Sequence, residues 1–263
     1  DTVTAFHVEH RRPKTTRFVQ TFHVEHTALA CVTLAPRSRN RGAQPPHPAR
    51  GHYQRRPMAR VIAIANQKGG VGKTTTAINL AACLAAADLK TLLVDVDPQA
   101  NATSGLGIRV PEGSPTIYEV LVDGTDLIDT LRRTELDSLR VAPASYELVG
   151  AELELVNDER RAFHLRRALA GVRDDFDYVV LDSPPSLGIL TVNALSVADS
   201  VIVPIQCEYL ALEGLSRMLQ TLDRVRDSLN PTLKLEGILM TMVDSRMNLT
   251  RQVAADVRAH FPG

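Results

Sequence analysis

Val61-Ile-Ala-Ile-Ala-Asn-Gln-Lys-Gly-Gly-Val-Gly-Lys-Thr-Thr-Thr76 decides the fold. An apolar, β-branched run passes into a turn holding three glycines and then into a stretch with helical periodicity, so the order is strand, loop, helix. Gly69, Gly70 and Gly72 let the backbone curl until successive N–H groups point at one place, and the helix starting near Thr74 adds its positive end. That is a phosphate cradle. Lys68, Gly69, Gly70, Val71, Gly72, Lys73, Thr74 and Thr75 are its candidate nucleotide-binding residues, with Lys73 reaching the β- and γ-phosphates and Thr74 ligating Mg²⁺. A plain glycine turn with solvated lysines is the competing interpretation, and the strand and helix on either side argue against it.

Two further segments end strands in carboxylates. In Leu92-Leu-Val-Asp-Val-Asp97, followed by Pro-Gln-Ala-Asn-Ala-Thr, Asp95 and Asp97 stand at alternate positions and so share one face. Two acids at a strand's C-terminal end beside a phosphate loop suit Mg²⁺ chemistry and water positioning. Tyr178-Val-Val-Leu-Asp182 has the form of a Walker B strand, which puts Asp182 in the Mg²⁺ shell.

Short β-branched runs alternate with helical patterns from Arg60 onward, the signature of βαβ units. The fold class expected is α/β: a doubly wound, mostly parallel sheet of the P-loop NTPase type. Strands are expected over 61–65, 91–95, 139–142, 178–182, 200–205 and 236–243. Helices are expected over 74–87, 147–156, 160–172, 187–198 and 213–229, with another starting near Asn248. No apolar run approaches the roughly 20 residues of a membrane span. Cys31, Cys83 and Cys207 show no CxxC spacing, which points to a reduced, cytoplasmic protein.

The strict phosphate-loop pattern wants a glycine six residues before Lys73, where this chain has Gln67, and it carries a second lysine, Lys68. Lys-Gly-Gly-Val-Gly-Lys-Thr resembles the deviant Walker A motif of the ParA/MinD/nitrogenase-iron-protein superfamily. The Asp-Pro-Gln-Ala-Asn-Ala-Thr run, Val203 to Gly214 and Met240 to Thr250 resemble chromosomal ParA/Soj partition ATPases, over about Met58 to the last residue. The resemblance implies ATP and Mg²⁺ as cofactors and slow, partner-stimulated hydrolysis. It implies Lys68 reaching the nucleotide of a second subunit, Asp97 positioning the attacking water, and Asp95 supporting it from behind or from the metal side. It further implies an ATP-dependent homodimer, non-specific double-stranded DNA bound in part by Arg246, a ParB-type partner, and a cytoplasmic, nucleoid-associated location. The family pattern continues past Gly263 through a further strand, a loop near the adenine and a last helix, so a C-terminally truncated domain, 58–263, is expected.

Three rivals share the scaffold. A MinD-like division-site ATPase needs a C-terminal amphipathic membrane helix, an iron protein needs a cysteine pair per subunit, and an ATP-dependent carboxylate ligase needs a small acid.

Residues 1–57 differ from the body. They hold ten Lys and Arg against three Asp and Glu, whereas the remainder holds twenty against twenty-seven. Phe-His-Val-Glu-His occurs twice there, at Phe6–His10 and Phe22–His26. A zinc site of His7, His10, His23 and His26 is one interpretation. The expected one is translated upstream DNA: Phe-His-Val-Glu can be encoded by TTC-CAC-GTG-GAA, which is its own reverse complement, and with TTT for the phenylalanine TTT-CAC-GTG-GAA-CA closely resembles the parS site bound by ParB proteins. The arm is then expected to be disordered and not native protein, with translation starting at Met58, the first methionine.

Overall fold

The computed structural model describes residues 20–24, 28–32, 58–208, 211–244 and 246–260. Within the arm these include two strands, β1 (Gln20–Val24) and β2 (Ala28–Val32), paired antiparallel. This hairpin departs from the expectation of a segment without elements. Its two runs contain the β-formers Thr21, Phe22, Val24 and Val32, short enough to escape a search for sustained periodicity. The rest of the arm, His7 and His10 included, lies outside the described residues, as do the last three residues.

The body is built on β3 (Arg60–Ile64), β4 (Thr91–Asp95), β5 (Arg132–Arg133), β6 (Leu139–Ala142), β7 (Tyr178–Asp182), β8 (Ser200–Gln206) and β9 (Lys234–Thr241). They form one sheet in the order β5-β6-β4-β7-β3-β8-β9, parallel except for the β5-β6 pair. The helices are α1 (Lys73–Ala86), α2 (Asn101–Gly105), α3 (Ile117–Val122), α4 (Leu127–Thr130), α5 (Leu148–Glu154), α6 (His164–Ala170), α7 (Ile189–Val197), α8 (Ala211–Ser228) and α9 (Asn248–His260).

Side chains alternate across a strand, and the two cores follow that rule. Val61, Ala63, Leu92, Val94, Val179 and Leu181 pack with α3, α5, α6, α7 and α8 on one face. Ile62, Ile64, Leu93, Val180 and Ile202 pack with Ala77, Leu80, Ala81 and Leu84 of α1 on the other. Strands buried on both faces carry near-continuous apolar runs for this reason. The expected doubly wound sheet is therefore present, and its six long strands lie within two residues of the expected ones at each end.

α2, α3, α4 and β5 had no counterpart in the expectation. α3 had a readable start: Thr116 and Glu119 form a capping box, the Glu119 carboxylate accepting from the Thr116 N–H at 2.7 Å. β9 ends at Thr241 because Met242 takes φ +52°, a left-handed conformation that a side chain disfavours and a strand cannot continue.

Candidate functional site

The strands β4, β7 and β3 are neighbours, and their C-terminal ends carry the three expected motifs side by side. Asp95 stands in register with Asp182 on one side of β7, and Ile64 stands in register with Asp182 on the other. By alternation Asp95 and Asp182 fall on the α1 face, where Lys73 and Thr74 begin that helix. Sequence separation of more than a hundred residues thus closes into one pocket of charge.

The loop between β3 and α1 is held open by its glycines. Gly70 and Gly72 have φ of +73° and +84°, which only glycine adopts readily. Gly72 is the N-cap of α1, no side chain caps that helix, and its first turn holds no acid. The first-turn N–H groups are therefore available to an anion. Val71 is buried and anchors the loop, whereas Lys68, Gly69, Gly70 and Thr75 are exposed.

Lys73 is buried, and its ammonium donates to the Lys68 carbonyl at 2.9 Å. Burial lowers its pKa, against the raising effect of the Asp182 and Asp97 carboxylates. Lys68 instead forms an exposed ion pair with Glu208, two residues beyond β8.

The three acids have different surroundings. Asp95 is fully buried and accepts from the Thr103 hydroxyl at 2.7 Å, the Thr103 N–H at 2.8 Å and the Asp97 N–H at 3.2 Å. Burial still pushes its carboxyl up to about 6. Asp97 accepts from the Gln99 N–H at 2.9 Å in an Asx turn that starts the loop toward α2. Asp182 is fully buried, and both its oxygens lack a hydrogen-bond partner. Burial first and the Asp95 charge second push its carboxyl up to about 7; Thr74 and Lys73 pull the other way, the Thr74 hydroxyl without completing a bond of ordinary geometry. A buried carboxylate with no donor is costly, and a cation is what such a group accommodates.

Several residues escaped the sequence reading. Thr241 lies at the end of β9, and its single hydroxyl faces two carbonyls, Val71 at 2.9 Å and Ile205 at 3.0 Å, so it pins the phosphate loop to β8. Its methyl group lies 3.5 Å from where a side chain on Gly72 would begin. Asn66 donates to the Pro204 carbonyl at 2.6 Å, while its side-chain oxygen accepts from the Lys68 N–H at 3.1 Å. Thr103 and Glu208 complete the set. None has a motif that announces it, although Thr103 belongs to the Asp-Pro-Gln-Ala-Asn-Ala-Thr run.

Arg246 stands apart, beyond β9. Its guanidinium, 82% exposed, binds both oxygens of Asp244 at 3.0 and 2.9 Å and its N–H adds a third bond, holding the Asp244 carboxyl down at about 2. No helix among the described residues is long and apolar enough to cross a membrane.

A strand, a glycine loop opening a helix, and acids on the two adjacent strand ends define a P-loop NTPase, here with two lysines in the loop. A family model described as an AAA domain matches residues 59–235. The chain is 57% identical over 204 residues to the chromosome partitioning protein ParA of Myxococcus xanthus, covering 78% of this chain and 72% of that protein. It is 52% identical to the sporulation initiation inhibitor protein Soj of Bacillus subtilis, covering 78% of this chain and 81% of that one. Among solved structures it resembles cobyrinic acid a,c-diamide synthase of Mycobacterium smegmatis with bound ADP and magnesium, at TM-score 0.73 and 44% identity over 78% of this chain and 83% of that one. A plasmid partition protein of Borrelia burgdorferi bound to AMPPNP gives TM-score 0.68 and 30% identity over 77% and 84%. This chain belongs to the ParA/Soj family of chromosome-partitioning proteins.

Proposed function

We propose that this chain is a chromosome-partitioning ATPase, in which MgATP binding drives dimerisation and non-specific DNA binding and a ParB-type partner stimulates slow hydrolysis. The observation that carries the nucleotide reading is Asp182: two buried oxygens without a donor, on the strand beside a glycine loop whose helix N-terminus is uncapped. Among the described residues no three His, Cys, Asp or Glu side chains gather into a metal cage. That fits Mg²⁺, which is held by one or two protein groups and by nucleotide phosphates. Thr74 and Asp182 would hold it, with Asp95 behind them, and it would supply neutralisation of phosphate charge.

The remaining roles belong to the chain's own groups. The 68–75 backbone cradles phosphate, Lys73 leaves the Lys68 carbonyl to meet the β- and γ-oxygens, and Asp97 orients water from a turn that its Gln99 bond holds in place. Catalysis is positioning and electrostatics, with no covalent intermediate. Lys68 exchanges Glu208 for the nucleotide of a second subunit. The body carries an excess of acid, so DNA phosphates must meet a local patch that includes Arg246. This assigns the protein to the cytoplasm, on the nucleoid.

Names of relatives at 52–57% identity support partitioning. The diamide synthase likeness favours a second reading, an ATP-dependent ligase acting on a carboxylate. Calorimetry with Lys73→Ala and Asp97→Ala tests the core of the proposal. Lys73→Ala abolishes ATP binding, whereas Asp97→Ala keeps binding and loses hydrolysis; undiminished affinity in Lys73→Ala refutes the site.

A further inference from the structure

The glycine loop has a weakness built into it. The peptide unit joining Val71 to Gly72 ends on a glycine, and turning that unit over changes only the ψ of Val71 and the φ of Gly72. Gly72 stands at φ +84° and, having no Cβ, is equally at ease at about −96°. The same turnover relates the two common turn types, with φ of about +80° in one and about −90° in the other.

The two orientations offer an anion opposite things. In a trans unit the C=O and the following N–H point in opposite directions, so one orientation turns the Gly72 N–H into the loop and the other turns the Val71 carbonyl oxygen into it. The first donates to phosphate, and the second repels it.

A group outside the loop selects between them. The Thr241 hydroxyl, on the last residue of β9, lies 2.9 Å from the Val71 carbonyl and 3.0 Å from the Ile205 carbonyl. A hydroxyl has one proton to give. Ile205 is paired with Met240 in the β8–β9 ladder, whereas among the described residues no backbone N–H reaches the Val71 carbonyl. The proton therefore has its use at Val71. With that carbonyl turned toward β9, the Gly72 N–H points away from β9 and into the hollow of the loop. The γ-methyl of Thr241 lies 3.5 Å from where a side chain on Gly72 would begin, so hydroxyl and methyl meet the same peptide from one side. Thr241 is itself fixed by its pairing with Gln206, and a site group is best supported by such a rigid element.

We propose that Thr241 is a positioning residue for nucleotide binding: its hydroxyl holds the Val71–Gly72 peptide in the orientation that presents the Gly72 N–H to a phosphate oxygen. This rests on the reading of residues 68–75 as a nucleotide loop and adds to it a residue 170 positions from Val71. Thr241→Val keeps the methyl and removes the proton, and Thr241→Ser keeps the proton and removes the methyl. Calorimetric titration with AMPPNP and Mg²⁺ should show Thr241→Val binding on the order of tenfold more weakly and Thr241→Ser within about threefold of wild type. Thr241→Ala should also bind more weakly, and it serves if the valine methyl crowds the two carbonyls enough to unfold the chain. In protein labelled at its glycine nitrogens, the Gly72 amide resonance should move when MgADP saturates wild type or Thr241→Ser and stay in place in Thr241→Val, which a general loss of stability does not produce. Wild-type affinity in Thr241→Val overturns the proposal, as does an equal loss in Thr241→Ser, which makes the methyl contact the cause. A wild-type chain that binds neither AMPPNP nor ADP overturns the nucleotide reading and the proposal with it, so the two failures differ in which protein fails to bind.

Discussion

Replacing Thr103 by valine keeps the side-chain shape and removes one hydroxyl. That hydroxyl donates to Asp95 at 2.7 Å and accepts from the Ala144 N–H at 3.1 Å, both in the buried interior. A hydrogen bond to a charged group contributes about 1.5–3 kcal/mol, and an orphaned buried N–H costs about 1–3 kcal/mol. The two overlap as the site relaxes, so the net loss expected is about 3–4 kcal/mol. In a domain of this size 1 kcal/mol corresponds to about 2–4 °C, so Tm should fall by about 10 °C. The Asp95 carboxyl, already up at about 6 with the Thr103 bonds restraining it, should rise further. Urea denaturation with parallel calorimetric scans measures the change, and Thr103→Ser should recover most of it. A loss below about 1 kcal/mol would refute the claim that Thr103 stabilises the buried acid.

Asp182 gives a pH test. Its folded pKa of about 7 lies above the unfolded value, so the group costs nothing below about 4, where both states are protonated, and its cost grows as pH rises through the window and is complete above the folded value. Asp182→Asn should therefore raise the Tm of the nucleotide-free protein at pH 8 more than at pH 5 while losing stabilisation by MgATP, and a Tm lowered at pH 8 contradicts this. Asp244 neutralises Arg246, so Asp244→Asn should tighten DNA binding and steepen its salt dependence by about one unit of slope, read by fluorescence titration. Weaker binding counts against Arg246 as a phosphate contact. Lys68 and Glu208 are an exposed pair worth about 0–1 kcal/mol, and dimerisation breaks one pair in each subunit, so Glu208→Gln should strengthen ATP-dependent dimerisation by no more than about thirtyfold, whereas Lys68→Ala stays monomeric in sedimentation. A normal dimer of Lys68→Ala removes its proposed role.

Much of this site is legible before folding because its chemistry is local. Gly69 to Thr75 form their own loop and helix start, and Asp95 and Asp182 end apolar runs that can be nothing but buried strands. Their convergence follows from the parallel topology. Thr241, Asn66 and Glu208 are not legible in that way, since each acts on a segment 138 to 170 residues away. The small elements α2 to α4 and β5 are too short for periodicity, and only the Thr116–Glu119 box gives one of them a signal. α5 shows the reverse limit: its spacing reveals two apolar faces, and only the folded sheet shows that Leu148 and Ala151 are buried while Val149 and Leu153 are left exposed.

ATP turnover by the wild-type chain, alone and with DNA and a ParB-type protein, separates an ATPase governed by DNA and a partner protein from one that is not. Turnover should be slow alone, rise when both are present, and vanish in Lys73→Ala under every condition. Turnover that ignores DNA and partner but rises with a small carboxylic acid would contradict the account and point to the ligase.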